Sequence, residues 1–246
     1  MTTAEHMGMP MTATGDNATA RASRAVLGTG AVLVWNDVAA PGREQFYVWH
    51  DKEHIPERLA LPGFRRGRRY ARPGHSPEWL TMYEADDLGV VTSPAYLARL
   101  NAPTPATTRT LPHFRNTSRA VCRLVSSTGS SMGGHVLALR LDVLPAQSAA
   151  MCRHLDTIAF PRAMAAAGVV ACHLYAADDA ASRVDTAESS TRAFDVPSWV
   201  VLVEATTLAA ADRARADVDD SELRHLDVRV RADAAAYSLE ICRLAA

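Results

Sequence analysis

Residues 50–54 read HDKEH, five ionisable side chains in a row. Three chemistries compete for them. His50, Glu53 and His54 satisfy H-x-x-E-H, the spacing with which inverzincin metallopeptidases hold zinc on two histidines and activate water with the glutamate. The same side chains suit acid/base work, since an imidazole titrates near neutral pH and a neighbouring carboxylate orients it for proton transfer to or from a carbon acid. The plainest reading is solvated charge at a helix end. Zinc would need a third acidic ligand from a following helix, and Pro56, two residues past His54, interrupts the regular helix that would hold the pair. No metal site is expected.

On a helix starting near Arg43, one stripe carries Phe46, His50 and Glu53 and the next carries Tyr47, Asp51, His54 and Arg58. His54 sits where the stripes meet. It is the candidate general acid/base, with Asp51 or Glu53 to orient it and Arg58 to stabilise an enolate or carboxylate. Downstream, FRRGRRYAR puts Arg66, Arg68, Tyr70 and Arg72 on one strand face. An arginine facing an interior needs an anionic partner, either Glu84 or a substrate carboxylate, whereas an edge strand would keep these heads in solvent. His50, Trp35, Asn36, Arg66, Arg68, Tyr70, Tyr83 and His113 form the expected substrate-binding set, His113 (in LPHFRN) being a second acid/base candidate.

The elements that must position these residues follow from the whole chain. It has 246 residues, 48% hydrophobic and 22% charged, enough for a substantial core. A net charge of −1 gives no field to attract nucleic acid or an anionic membrane. No apolar run approaches the roughly 20 residues that span a bilayer. The four cysteines lack C-x-x-C spacing, so reduced thiols in a cytoplasmic protein are expected. Residues 1–26 read as a disordered leader.

The chain also repeats itself. PEWLTMYEADDL from Pro77 aligns with PSWVVLVEATTL from Pro197, 120 residues on, and GFRRGRRYA from Gly63 aligns with GVVACHLYA from Gly168, 105 on. The second copy therefore carries fifteen extra residues within DDAASRVDTAESSTRAFDV, whose composition marks a mobile surface loop. Each half reads strand, helix, strand, strand, helix, strand, which is the ferredoxin-like order. Residues 27–126 form the first repeat, 127–134 a linker and 135–246 the second repeat. Two such sheets can bury their bare faces against each other in one pseudo-twofold α+β barrel.

WHDKEHIPERLALPGFRRGRRY, WLTMYEADDL, SPAYL and LPHFRN resemble the dimeric α/β-barrel superfamily, in particular its EthD-like branch. The resemblance covers about residues 28 to 126 directly and the second half through the repeat. It implies a small-molecule pocket between sheet and helices, and in such relatives a histidine in the H-x-P stretch, here His54, is the usual catalytic candidate. Relatives include isomerases, cyclases, cofactor-free monooxygenases and fused haem proteins. Haem is not expected here, although the fold analogy leaves it open in the second half.

The repeat supplies an internal comparison. At the 105 offset His50 faces Leu155, Glu53 faces Ile158, His54 faces Ala159 and Arg58 faces Ala163, while Asp51 and Pro56 have identical partners. The element is thus built without the polar cluster in the second copy. The expectation is a cofactor-independent isomerase, cyclase or lyase acting on a small hydrophobic or aromatic carbonyl or carboxylate compound, with the active site in the first half. Oxygenase chemistry and a non-catalytic binding or assembly role are the alternatives, and leftover apolar surface leaves a homodimer open.

Overall fold

The computed structural model describes residues 25–191 and 195–246. The expected leader lies outside them except for Ala25 and Val26, which are already buried. Among the described residues nine strands form, β1 (Gly30–Val38), β2 (Phe64–Ala71), β3 (Trp79–Ala85), β4 (Phe114–Gly129), β5 (His135–Asp142), β6 (Val169–Ala177), β7 (Trp199–Ala205), β8 (Arg229–Val230) and β9 (Ala235–Leu244). Eight of them close an antiparallel barrel in the order β1-β3-β2-β9-β5-β7-β6-β4, with β4 returning to β1, and the short β8 pairs with the end of β5. First-half strands thus run β4-β1-β3-β2 and second-half strands β9-β5-β7-β6, joined at β2–β9 and β4–β6.

Period-two alternation sorts the side chains. Leu33, Trp35, Met82, Val136, Leu202 and Tyr237 point into one shared interior core contributed by both halves. The outward faces are covered by helices, giving each half its own outer core. Since β2 lies between β3 and β9, the arginine-rich strand is no edge. The linker is also shorter than expected, because β4 continues through Gly129 in register with Ala171 of β6. Residues 127–129 belong to the ladder that ties the halves together.

The segment 43–59 is one helix with an altered middle: α-helical Arg43–Trp49, a π-helical turn His50–His54, then Ile55–Leu59. The second half repeats this with Ser148–His154, a π turn Leu155–Ala159 and Phe160–Ala165. In both, the widened turn precedes a proline, Pro56 or Pro161, whose missing N–H already interrupts the α ladder. Because the π turn occurs in both halves, it is a property of the fold; only its side chains differ. Gly63 (φ 87°) and Gly168 (φ 91°) then turn the chain into β2 and β6 through a left-handed conformation that disfavours other residues.

Candidate active site

A cavity of about 180 Å³ lies between the outer face of the first-half strands and the helices over them. Its walls are largely apolar, with Val32 and Val34 from β1, Leu97 and Leu100 from the helix Pro94–Asn101, and Phe114 at the start of β4. The polar groups converging on it include Asn36, His50, His54, Arg58, Tyr83 and Arg119. Strand alternation explains their placement, since Val32, Val34 and Asn36 share the face of β1 opposite to Leu33 and Trp35.

His50 is 3% exposed, stacked at 5.2 Å on Phe46. Its Nδ1 lies 2.9 Å from an Arg69 nitrogen and its Nε2 lies 3.4 Å from the Tyr83 hydroxyl. A guanidinium offers only donors, so Nδ1 must accept and the ring proton must sit on Nε2, facing Tyr83. Burial first, then the charges of Arg69 and Arg58, hold the His50 pKa well below the usual histidine value. Burial likewise pushes the Tyr83 phenol far up, against the opposing pull of Arg58. His50 and Tyr83 are therefore neutral hydrogen-bonding groups, and a basic role does not fall to His50. His54 is half-buried one turn along, its ring 4.2 Å from Trp49 and 5.7 Å from His50 between centroids.

Arg58 is 2% exposed and bonds Glu188 at 2.5 Å. Burial alone would lower its pKa, but Glu188 together with Tyr96 and Tyr83 outweighs burial and keeps it raised. Glu188 belongs to the second half. The fifteen-residue insertion, expected as a mobile loop, instead crosses to the first half and roofs the cavity with Ala181, Val184, Thr186, Glu188 and Ser189. It is fastened by Val121 N–H donating to the Ser182 hydroxyl (2.9 Å) and Glu188 N–H donating to the Leu100 carbonyl (3.2 Å).

The other expected site residues lie elsewhere. Asp51 is drawn to Arg69 (2.5 Å) and Glu53 accepts from the Thr104 hydroxyl, so neither lines the cavity beside His54. The π turn rotates both away from the stripes that regular helical spacing implies. Trp35 and Tyr70 face the barrel interior, as do Arg66, held by Glu84, and Arg68, which donates to Glu204 at 2.6 Å and to the Tyr70 hydroxyl at 2.7 Å. Period two puts Arg66, Arg68, Tyr70 and Arg72 on one face; the first three of these look into the barrel and away from the cavity. His113 packs its ring over Gly42, leaving no space there for a Cβ. Among the lining residues that the sequence reading does not single out are Arg119, Tyr96 and Glu188.

In the second half the matching space is filled. Leu155, Ala159 and Ala163, at the positions matching His50, His54 and Arg58, are fully buried in a continuous apolar cluster with Met151 and Leu174. Its histidines lie apart from one another: His154 bonds Asp220 (3.0 Å), His173 faces the barrel interior between Ser127 and Glu204, His135 bonds Ser238 and His225 is exposed. Among the described residues, no three His, Cys, Asp or Glu side chains are grouped to hold a metal ion, and no helix is long and apolar enough to cross a membrane.

No protein-family model and no curated protein matches the sequence. Solved structures do match the fold. An anthrone oxidase-like protein aligns with 13% identity over 89% of this chain and 94% of its own, at a TM-score of 0.57. A chlorite dismutase mutant from Candidatus Nitrospira defluvii aligns at 10% identity over 87% and 92%, TM-score 0.53. A Lactobacillus acidophilus NCFM protein provisionally described as a monooxygenase aligns at 11% over 88% and 96%, TM-score 0.51. The fold is the dimeric α/β barrel. At such identities the likeness carries architecture and no chemistry.

Proposed function

We propose that this protein is a cofactor-independent enzyme that moves a proton on a small hydrophobic or aromatic compound bearing a carbonyl or carboxylate, with His54 as general acid/base. The observation that carries this reading is the asymmetry of the two helices: the first presents His50, His54 and Arg58 to a roofed apolar cavity, where the second presents hydrocarbon to a packed core. In this reading the Tyr83 hydroxyl, accepting from the His50 Nε2–H, donates its own proton in a hydrogen bond to the substrate carbonyl, His54 takes the adjacent C–H proton, and Arg58 stabilises the resulting enolate. Returning that proton elsewhere on the carbon skeleton gives isomerisation, and attack of the enolate on a second carbonyl gives cyclisation. We further read the chain as a tandem fusion of two ferredoxin-like units close to the EthD-like branch, which the matching strand orders and paired π turns support.

A second outcome of the same step, open to any stabilised carbanion, is that it gives its electrons to O2. One experiment covers both. Hydrogen–deuterium exchange at the acidic C–H of phenylpyruvate and 2-tetralone is followed by NMR in D2O, with oxygen uptake recorded in parallel. The expected result is exchange above background that falls about 10²- to 10⁴-fold in His54→Ala with no loss of folding. Undiminished exchange in His54→Ala sinks the assignment.

A further inference from the structure

Arg119 carries a charge that, among the described residues, no carboxylate compensates. It stands on β4 opposite Val34, is 9% exposed and lines the cavity. Its hydrogen bonds go to neutral acceptors, the Ser182 carbonyl at 3.2 Å and the Tyr96 hydroxyl at 3.4 Å. Among the described residues no carboxylate pairs with it, and those around it are committed elsewhere. Glu188 pairs with Arg58, and Glu57 lies between Arg58 (3.7 Å) and Arg99 (3.1 Å), so these two cations and two anions balance. Asp178 caps its own helix by accepting from Ala181 N–H, Asp179 pairs with Arg183, and Asp195 pairs with Arg231. The cavity therefore holds one surplus positive charge.

A buried guanidinium without an anion is costly, and a protein that keeps one beside an apolar cavity has an anion-binding group prepared for a ligand. We infer that the cavity selects a monoanionic, flat hydrophobic substrate, an aromatic carboxylate, whose carboxylate docks on Arg119 while its ring lies among Val32, Val34 and Leu97. Glu188 sharpens the selection. By neutralising Arg58 it leaves room for one negative charge and discourages a second. The inference rests on the cavity being the substrate site, and it names the substrate class that the site prefers.

The test compares matched probes by isothermal titration calorimetry at neutral pH: benzoate with benzamide, and 2-naphthoate with 2-naphthamide, against wild type, Arg119→Met and Arg119→Lys. Wild type is expected to bind each carboxylate at least about tenfold more tightly than its amide. Arg119→Met should lose that preference while still binding the amides, and Arg119→Lys should keep part of it. Equal affinity for acid and amide in wild type needs no folded variant to be read, and it overturns the inference, as does an undiminished preference in Arg119→Met. A crystal structure with 2-naphthoate separates the two levels of failure. A ligand in the cavity with its carboxylate away from Arg119 defeats only the charge assignment; a ligand elsewhere, or no binding of any probe, defeats the cavity reading with it.

Discussion

His50 has an ordinary histidine's composition and an unusual histidine's titration. Its folded pKa lies below the unfolded value of 6.5, so as pH falls through 6.5 the unfolded chain takes up a proton that the folded chain refuses. Stability is full above that value and declines below it. The expected outcome is that the stability advantage of wild type over His50→Gln, measured by urea denaturation, shrinks as pH falls from about 7 to about 5; a constant difference would show that the folded ring takes up its proton as readily as the unfolded one. The sequence marked this residue by its type and its apolar counterpart Leu155, but not its role, because the tautomer depends on Arg69, nineteen residues away on a strand. Arg119 shows the opposite case. Its position two residues from Val121 puts it on the helix-covered face of β4, a signal readable from alternation, yet the absence of a counter-charge is a property only of the folded chain.

The roof segment is legible in the sequence as an insertion, but its order is not. Its Asp, Ser and Thr content suggests a solvent-facing loop. In the structure those side chains serve local ordering: Asp178 caps the helix Asp179–Ser182, and the Thr186 N–H donates to the Ser189 hydroxyl at 2.7 Å. Polar composition cannot distinguish a chain that bonds to water from one that bonds to itself. Glu188→Gln would leave the buried Arg58 with the more distant Glu57 alone, at a cost of about 3 kcal/mol. Amide exchange measured by mass spectrometry should then quicken across residues 178–191 ahead of the strands; unchanged protection there would mean that the ion pair does not hold the roof. The π turns were invisible for a different reason, since helical periodicity assumes a constant pitch and a single wide turn shifts every later residue around the axis. Asp51 and Glu53 were assigned to His54 on that assumption.

Across the molecule, the element order and the joining of two four-stranded groups were legible from matching Pro, Trp and Glu positions in the two halves of the sequence. Those matches did not reveal that the arginine face would be answered from the other half. Arg68 donates to Glu204, and Glu204 also accepts from Gly133 N–H at 2.7 Å, so one carboxylate binds both halves and their connection. Burial by itself would raise the Glu204 pKa, but Arg68 and His173 outweigh it and hold it at about 2. The folded value is thus depressed below the unfolded 4.5, and the stability is present above 4.5 and lost as pH falls through 2. Acid denaturation should show a loss of the order of 3 kcal/mol over that window that Glu204→Gln lacks; parallel profiles would remove Glu204 from the account.

The shared interior core also predicts that residues 25–130 alone, which expose Leu33, Trp35 and Met82, pair with a second copy or precipitate. A folded monomer in sedimentation would contradict this. A further consequence comes from who supplies the roof. Where a neighbouring subunit lends such a segment, dilution removes it and turnover per molecule drops; here it is tethered to the site it covers, its local concentration fixed by the backbone. Specific activity should hold constant down to the lowest amounts of protein that an assay can detect.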